Sequence, residues 1–245
     1  MAAIVREVSD IELELSTIAH IDAVSQMKIY WELFRINKFC GNILKNRSKP
    51  FLVNAAKWCN EHSIIYEMMA QEFCYNTAKS GHCATHCIFR DSCYICHAGN
   101  KTKEDALAYG NYPMGYCIGS RENEEEGWLK SRWIRPEDLH YYNEIGIKNF
   151  KLTGRTGTSE YMKKVMEAYM SQSYDGNLLE LWKPLETIYN GQAEKDWKSA
   201  YDIPNKKLDG FIDHWFDGNG FECENEVCGE TCNYCRKWWL NKLAQ

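Results

Sequence analysis

No stretch of about 18 apolar residues occurs in the 245-residue chain, so nothing in it reads as a membrane-crossing helix. The opening MAAIVREVSD has neither a long apolar core nor a cleavage site and does not read as a secretory signal. Basic residues are also scarce. The 29 Lys and Arg stand against 34 Asp and Glu, and the net charge of −5 is the wrong balance for a broad nucleic-acid surface. The one compact basic stretch, Lys45, Arg47 and Lys49, reads as a solvated loop. The chain has no G-x-S-x-G, no H-E-x-x-H and no phosphate-binding glycine loop, so the usual signatures of a conventional hydrolase are missing.

What the chain has instead is cysteine. Of its twelve, ten fall into two groups. Cys74, Cys83, Cys87, Cys93 and Cys96, with Cys117 a little beyond, form the first; Cys223, Cys228, Cys232 and Cys235, spaced C-x4-C-x3-C-x2-C, form the second. Thiols crowded in this way are either disulfide-bonded or bound to metal, and the redox compartment decides which. With no export signal, a reduced cytoplasmic interior is the expected setting, and there clustered cysteines favour metal. Cys40 and Cys59 stand apart and read as small buried hydrophobes. Nine Trp and fifteen Tyr supply large apolar areas for a core or a substrate cleft.

The hydrophobic pattern of the first half alternates strands and helices. A strand is expected over 11–19, then a helix capped by Asp22 with Val24, Met27, Tyr30, Trp31 and Phe34 on one face. A second strand over 36–40 ends at Gly41, and a helix over 49–61 leads to a third strand over 64–70. Residues 71–135 then carry the first cysteine group with little periodicity, and a connection of that length inside a compact domain is usually functional. Pro136 suits the first position of a helix stopping at Gly146; a fourth strand over 147–153 precedes a helix with Tyr161, Val165 and Tyr169 stacked, closed by Gly176. Such βα units imply a parallel sheet, and four of them equal half of an eight-stranded barrel. The expected fold is α/β, a partial TIM-type barrel of about four βα units with a long Cys-rich loop and a Cys-rich tail. The expected division is a barrel part over 1–185, carrying the insertion 71–135, and a C-terminal extension over 186–245.

The stretches STIAHIDAV, INKFCGNILKNR, IIYEMMAQEFCY, GNYPMGYCIGS, RPEDLHYYNEIGIKNFKLTGR and MEAYMSQSYDGNL resemble the collagenase-like peptidase family of unassigned catalytic type, from about residue 10 to 180. The likeness is strongest over 134–155. There Lys151, Gly154 and Arg155 match a Lys-Ile-Glu-Gly-Arg-like signature, and Thr153 stands where many members have Glu. The resemblance implies a TIM-type barrel, of which this chain carries the C-terminal part, and a [4Fe–4S] cluster held by four cysteines. It also implies oxygen-independent hydroxylation of a small organic or RNA substrate, or the peptidase activity of the family's name.

Cys74-x8-Cys83-x3-Cys87 with Cys117 as a distant fourth ligand is a workable iron–sulfur arrangement. Cys93 and Cys96 rival any of these positions, and His82, His86 and His97 among them would suit zinc. The second group, Cys223, Cys228, Cys232 and Cys235, fits structural zinc or a second iron–sulfur cluster. Glu72, beside Cys74, is a candidate acid–base group, and Arg155 a candidate grip for an anionic substrate. His20, Arg35 and Arg47 carry no distinguishing motif. The leading expectation is an iron–sulfur protein resembling the family's hydroxylases. The alternatives are a peptidase, or a non-catalytic, metal-stabilised subunit that completes a partner chain's barrel. The acidic balance favours a small-molecule or peptide substrate over nucleic acid.

Overall fold

The computed structural model describes residues 9–71, 126–153, 158–181, 202–217, 223, 226 and 229–244. Four parallel strands form one sheet in the order β1 (Glu14–Leu15), β2 (Lys38–Cys40), β3 (Ile65–Met69) and β4 (Asn149–Lys151). The register pairs Glu14 with Lys38, Cys40 with Glu67 and Met69 with Lys151. Helix α1 (Val24–Phe34) connects β1 to β2, and α2 (Lys49–Glu61) connects β2 to β3. Among the described residues the sheet does not close into a barrel.

The helices form where the apolar spacing demands it. Met27 is fully buried, with Val24, Tyr30, Trp31 and Phe34 packed around it on the same face of α1. α1 ends where Arg35 turns left-handed (φ 49°) and its N–H reaches the Trp31 carbonyl. Asp22 does not cap this helix as expected. Its carboxylate accepts from Asn42 Nδ2, while Gln26 Oε1 reaches back to the backbone N–H groups of Asp22 and Ala23. In α2, Leu52, Ala55, Ala56 and Cys59 turn inward, and the prolyl ring of Pro50 fits the first turn, which needs no N–H there.

The later elements are α3 (Gly127–Lys130), α4 (Leu139–Glu144), preceded by a 3-10 turn at Pro136–Asp138, and α5 (Ser159–Ser171). Two short helices close the chain, α6 (Asp213–Phe216) and α7 (Tyr234–Trp238), the last continuing as a π-turn over Trp239–Leu243. The left-handed residue that ends α5 is Gln172 (φ 52°), not Gly176, because its N–H bonds to Ala168 and Tyr169 before the chain reaches the glycine. The expected first strand contracts to two residues. Thr17–Ala19 winds into a 3-10 turn and His20 takes φ 50°, so the ladder stops at Leu15.

Alternation along the strands separates two faces. Leu15, Phe39, Tyr66, Met68 and Phe150 point to the helices and belong to one large core. Trp133, Phe211 and Trp215 extend that core, so the described residues from 202 onward bring aromatic side chains into it. Phe211 stacks on Trp133 at 5.7 Å and on Tyr234 at 5.3 Å. The opposite face carries Glu14, Lys38, Cys40, Glu67, Met69 and Lys151, with only Cys40, Ile43 and Met69 forming a small apolar cluster there. No helix among the described residues is long and apolar enough to cross a membrane.

Candidate functional site

The polar face of the sheet gathers its charges by register. Glu14 and Lys38 are direct neighbours, Cys40 and Glu67 are direct neighbours, and Lys151 lies one strand further at the end of β4. Lys38 Nζ reaches Glu67 at 2.7 Å and Glu14 at 3.3 Å; Lys151 Nζ reaches Glu14 at 3.1 Å and Glu67 at 3.6 Å. Two carboxylates and two ammonium groups thus form a neutral quartet around the Cys40 thiol. A ligand atom from each of Glu14, Cys40 and Glu67 lies within 4.8 Å of the other two, a donor set capable in principle of holding a metal ion. Sequence reading missed it. Cys40 looked like an isolated apolar residue, and nothing local marks Glu14 and Glu67, which meet only because their strands align.

Electrostatics in the quartet follow from burial and pairing. The hydrogen bond to Glu67 raises the Lys38 ammonium above the ordinary lysine range despite partial burial. Burial opposes the Glu14 charge, but the hydrogen bonds from Lys151 and Lys38 outweigh it and hold the carboxyl below its ordinary value. Burial also opposes the Lys151 charge, and its bond to Glu14 more than offsets this. Cys40 is 3% exposed, and burial pushes its thiol up to about 11. It is a neutral thiol near pH 7 and not a nucleophile in its own right.

The sheet's carboxyl-terminal edge is fastened by Gln71. Its Oε1 accepts from the Thr153 N–H at 2.8 Å, and its Nε2 donates to the Leu181 carbonyl at 2.7 Å, which also accepts from Tyr161. Thr153 therefore contributes its backbone here. Gly41 lies under Tyr66, and a Cβ there would come within 2.5 Å of the phenolic oxygen, so only glycine lets that ring cover the end of β2.

Around the C-terminal thiols the surroundings are cationic. Cys223 Sγ accepts from Arg132 Nη1 at 2.9 Å and from Trp215 Nε1 at 3.0 Å. Cys235 Sγ lies 3.6 Å from the Leu129 carbonyl oxygen, which also takes a hydrogen bond from Arg47 Nη1 at 2.8 Å. Cys232 sits in a turn closed by the Gly229 N–H to its own carbonyl, 2.9 Å. None of the three is in a disulfide, nor are Cys40 and Cys59, which are buried as expected of small hydrophobes. Arg47 overturns the reading of its stretch as a solvated loop. It is 2% exposed, because the 3-10 turn Ile43–Arg47 directs it inward against Trp133, Phe211 and Trp215.

Glu72, Cys74, Cys83, Cys87, Cys93, Cys96, Cys117, Arg155 and Cys228 lie outside the described residues. His20 follows the 3-10 turn Thr17–Ala19 and Arg35 ends α1, both in the left-handed conformation, and the Arg35 guanidinium lies over the Trp31 ring at 4.8 Å. A surface hollow of about 450 Å³, lined by Val24, Lys28, Phe51, Lys57 and Trp58, lies between α1 and α2 on the helical side and brings no chemical group to the quartet.

The chain is similar to a protein of Methanocaldococcus jannaschii named an uncharacterized protease, at 32% identity over 130 residues. The match covers 53% of this chain and 34% of that protein, so the chain spans about a third of the relative it matches. No family model matches the chain. No solved structure matches it.

Proposed function

We propose that this chain is a peptidase-like α/β protein that holds a metal ion on the polar face of its sheet and acts on peptides. The observation that carries the reading is the convergence of Glu14, Cys40 and Glu67 within 4.8 Å on that face. Two carboxylates and a thiolate are donors that zinc accepts, and three protein ligands leave a position for water or substrate. An ion bound there supplies Lewis acidity toward a peptide carbonyl. The protein's own part begins with the quartet. Lys38 and Lys151 release Glu14 and Glu67 to the ion and, still protonated, are left beside it to take an oxygen that develops negative charge. Cys40 must lose its proton on binding, so loading releases acid and strengthens as pH rises. The similarity to a protein named a protease supports peptide as the substrate class.

The test is cleavage of a peptide mixture, read by mass spectrometry, with zinc-loaded and chelated protein. Cleavage by the loaded protein that is lost on chelation and in Glu67→Gln supports the reading. Cleavage that survives both overturns it.

A second reading keeps the iron–sulfur expectation: Cys74, Cys83, Cys87 and Cys117, with Cys93 and Cys96 as rivals, bind a [4Fe–4S] cluster for hydroxylase-like chemistry on a small organic or RNA substrate, with Glu72 as candidate acid–base group and Arg155 as candidate anion grip. The position of Cys74 just past the end of β3 at Met69 favours it, because the carboxyl ends of parallel strands carry the chemistry in such sheets. Anaerobic product analysis separates the two, since this reading adds one oxygen atom to the substrate and cleaves nothing. In either case the proposal includes a partner chain that supplies the other half of a barrel over the polar face, since parallel sheets are covered on both sides.

A further inference from the structure

The chain buries two guanidinium groups beside its C-terminal thiols, and one of them lacks a conventional partner. Arg47 is 2% exposed. Its guanidinium lies over the rings of Trp215 at 4.4 Å, Trp133 at 4.8 Å and Phe211 at 5.2 Å. Nη1 donates to the Leu129 carbonyl, while Nε and Nη2 have no hydrogen-bond partner among the described residues. Asp138 feels the Arg47 charge, but Arg135 already holds it at both carboxylate oxygens. Aromatic faces attract a cation without neutralising it. A buried cation in this condition is costly unless something anionic stands near it.

The groups that stand near it are sulfurs. Cys235 Sγ and Arg47 Nη1 meet the same carbonyl oxygen, and Cys223 Sγ accepts hydrogen bonds from both Arg132 and Trp215, whose ring Arg47 covers. Arg132 is itself 6% exposed. A sulfur that accepts from a guanidinium and an indole is in the position of a thiolate. Cys232 stands three residues before Cys235, in the turn that the Gly229 N–H closes onto the Cys232 carbonyl at 2.9 Å.

We propose that Cys223, Cys232 and Cys235 hold an anionic metal–thiolate centre whose fixed counter-charges are Arg47 and Arg132. Three thiolates on a divalent ion, or on an iron–sulfur cluster, carry net negative charge, and two buried guanidinium groups offset it without a carboxylate. The three sulfurs do not lie within 4.8 Å of one another here. To meet on a single ion, Cys235 would have to leave the Leu129 carbonyl for Cys223 and Cys232. The N–H groups of Arg132 and Trp215 on Cys223 are the outer contacts that fix a metal-bound sulfur and tune the centre. This centre is separate from the Glu14–Cys40–Glu67 set and does not depend on it.

The experiment uses the full chain, purified anaerobically from cells supplied with iron and zinc. Iron, acid-labile sulfide and zinc per chain are measured in the parent, in Cys223→Ser with Cys235→Ser, and in Glu67→Gln. The double cysteine variant is expected to lose one complete centre that Glu67→Gln retains; zinc or iron with sulfide both satisfy the proposal and identify the centre. Arg47→Met and Arg132→Gln are expected to weaken metal retention against a competing chelator by roughly 10- to 100-fold. Stripped of metal, Arg47→Met should resist urea better than the stripped parent, because an uncompensated buried charge has gone. A purely structural Arg47 would shift loaded and stripped protein in the same direction. Unchanged metal content in the double cysteine variant overturns the proposal. So does equal loss of urea resistance by Arg47→Met in both states. If Arg47→Met does not fold, Arg132→Gln decides through retention alone: unchanged retention overturns the proposal.

Discussion

Arg47 and Cys235 share one acceptor, the carbonyl oxygen of Leu129, at 2.8 Å from Nη1 and 3.6 Å from Sγ. The two donors are not equivalent. The guanidinium always carries its proton, whereas the thiol gives its proton up when it becomes a ligand. In the proposed metal–thiolate centre the Leu129 carbonyl would stay with Arg47 once the Cys235 proton is lost, so this one backbone oxygen is the contact that metal binding would break.

The thiols should divide by reactivity. Burial pushes Cys40 up to about 11 and Cys59 up to about 12. Near pH 7 both are expected to stay unmodified by iodoacetamide until the protein is unfolded. Cys223, Cys232 and Cys235 are half-buried, and should label in native protein once chelator has removed metal. Mapping the modified peptides by mass spectrometry checks this, and labelling of Cys59 in the native state would contradict the packing described.

Arg135 and Asp138 form a fork-to-fork pair at 3.0 and 2.7 Å, each 2% exposed, and Arg135 also holds the Asn205 carbonyl at 2.8 Å. Arg135 Nη1 also meets Asp209 at 3.1 Å, so Asp138→Ala removes two hydrogen bonds but not the last counter-charge and is expected to cost less than the ~3–5 kcal/mol of a fully orphaned buried charge. Replacing both by apolar residues of similar volume should cost less than the single change. Urea titration of the three variants measures the difference.

The quartet gives stability a two-sided dependence on pH. Glu14 is held below its ordinary value of 4.5, so its contribution is present above that value and is lost as pH falls through the lower folded-state value. Lys38 and Lys151 are raised above 10.5, so theirs is full below 10.5 and lost as pH climbs through the higher folded-state values. Glu14 and Lys151 are 37% and 45% exposed, and solvent screening limits each limb to under about 1 kcal/mol. Glu14→Gln should flatten the acid limb and Lys151→Met the alkaline one in urea midpoints measured across pH.

Gly146 closes α4 with φ +92°, and a Cβ there would also meet Asn60 Nδ2 at 2.9 Å. Gly146→Ala is expected to cost about 1 kcal/mol or more, since alanine reaches that conformation only with strain. Asn60→Ala in the same chain should recover only the part due to contact.

The repeating pattern made the sheet legible. The helix read over 49–61 is α2 to the residue, and β2, β3 and β4 lie within their expected spans, because alternation and apolar faces are local properties. The first strand was overextended for the same reason: a β-branched run says nothing about how many residues its neighbour can pair. The Asp22 cap failed because Asn42, twenty residues away, claims that carboxylate. What the sequence hides in the candidate sites is long-range. Glu14, Cys40 and Glu67 come from three strands, and the charge of Arg47 looked solvated until the aromatic side chains of the C-terminal segment were seen folded over it.

The brevity of the outer strands governs how this protein behaves when crowded. β1 offers two residues and β4 three, and each places a charged side chain in its ladder, Glu14 and Lys151. Among the described residues the sheet edges are short templates, so like copies meeting edge to edge gain few hydrogen bonds, and a partner's half-barrel would gain most of its area on the sheet's face. Association through this sheet should therefore proceed through side chains on its face, and Glu14→Gln with Lys151→Met should raise it in light scattering of concentrated protein.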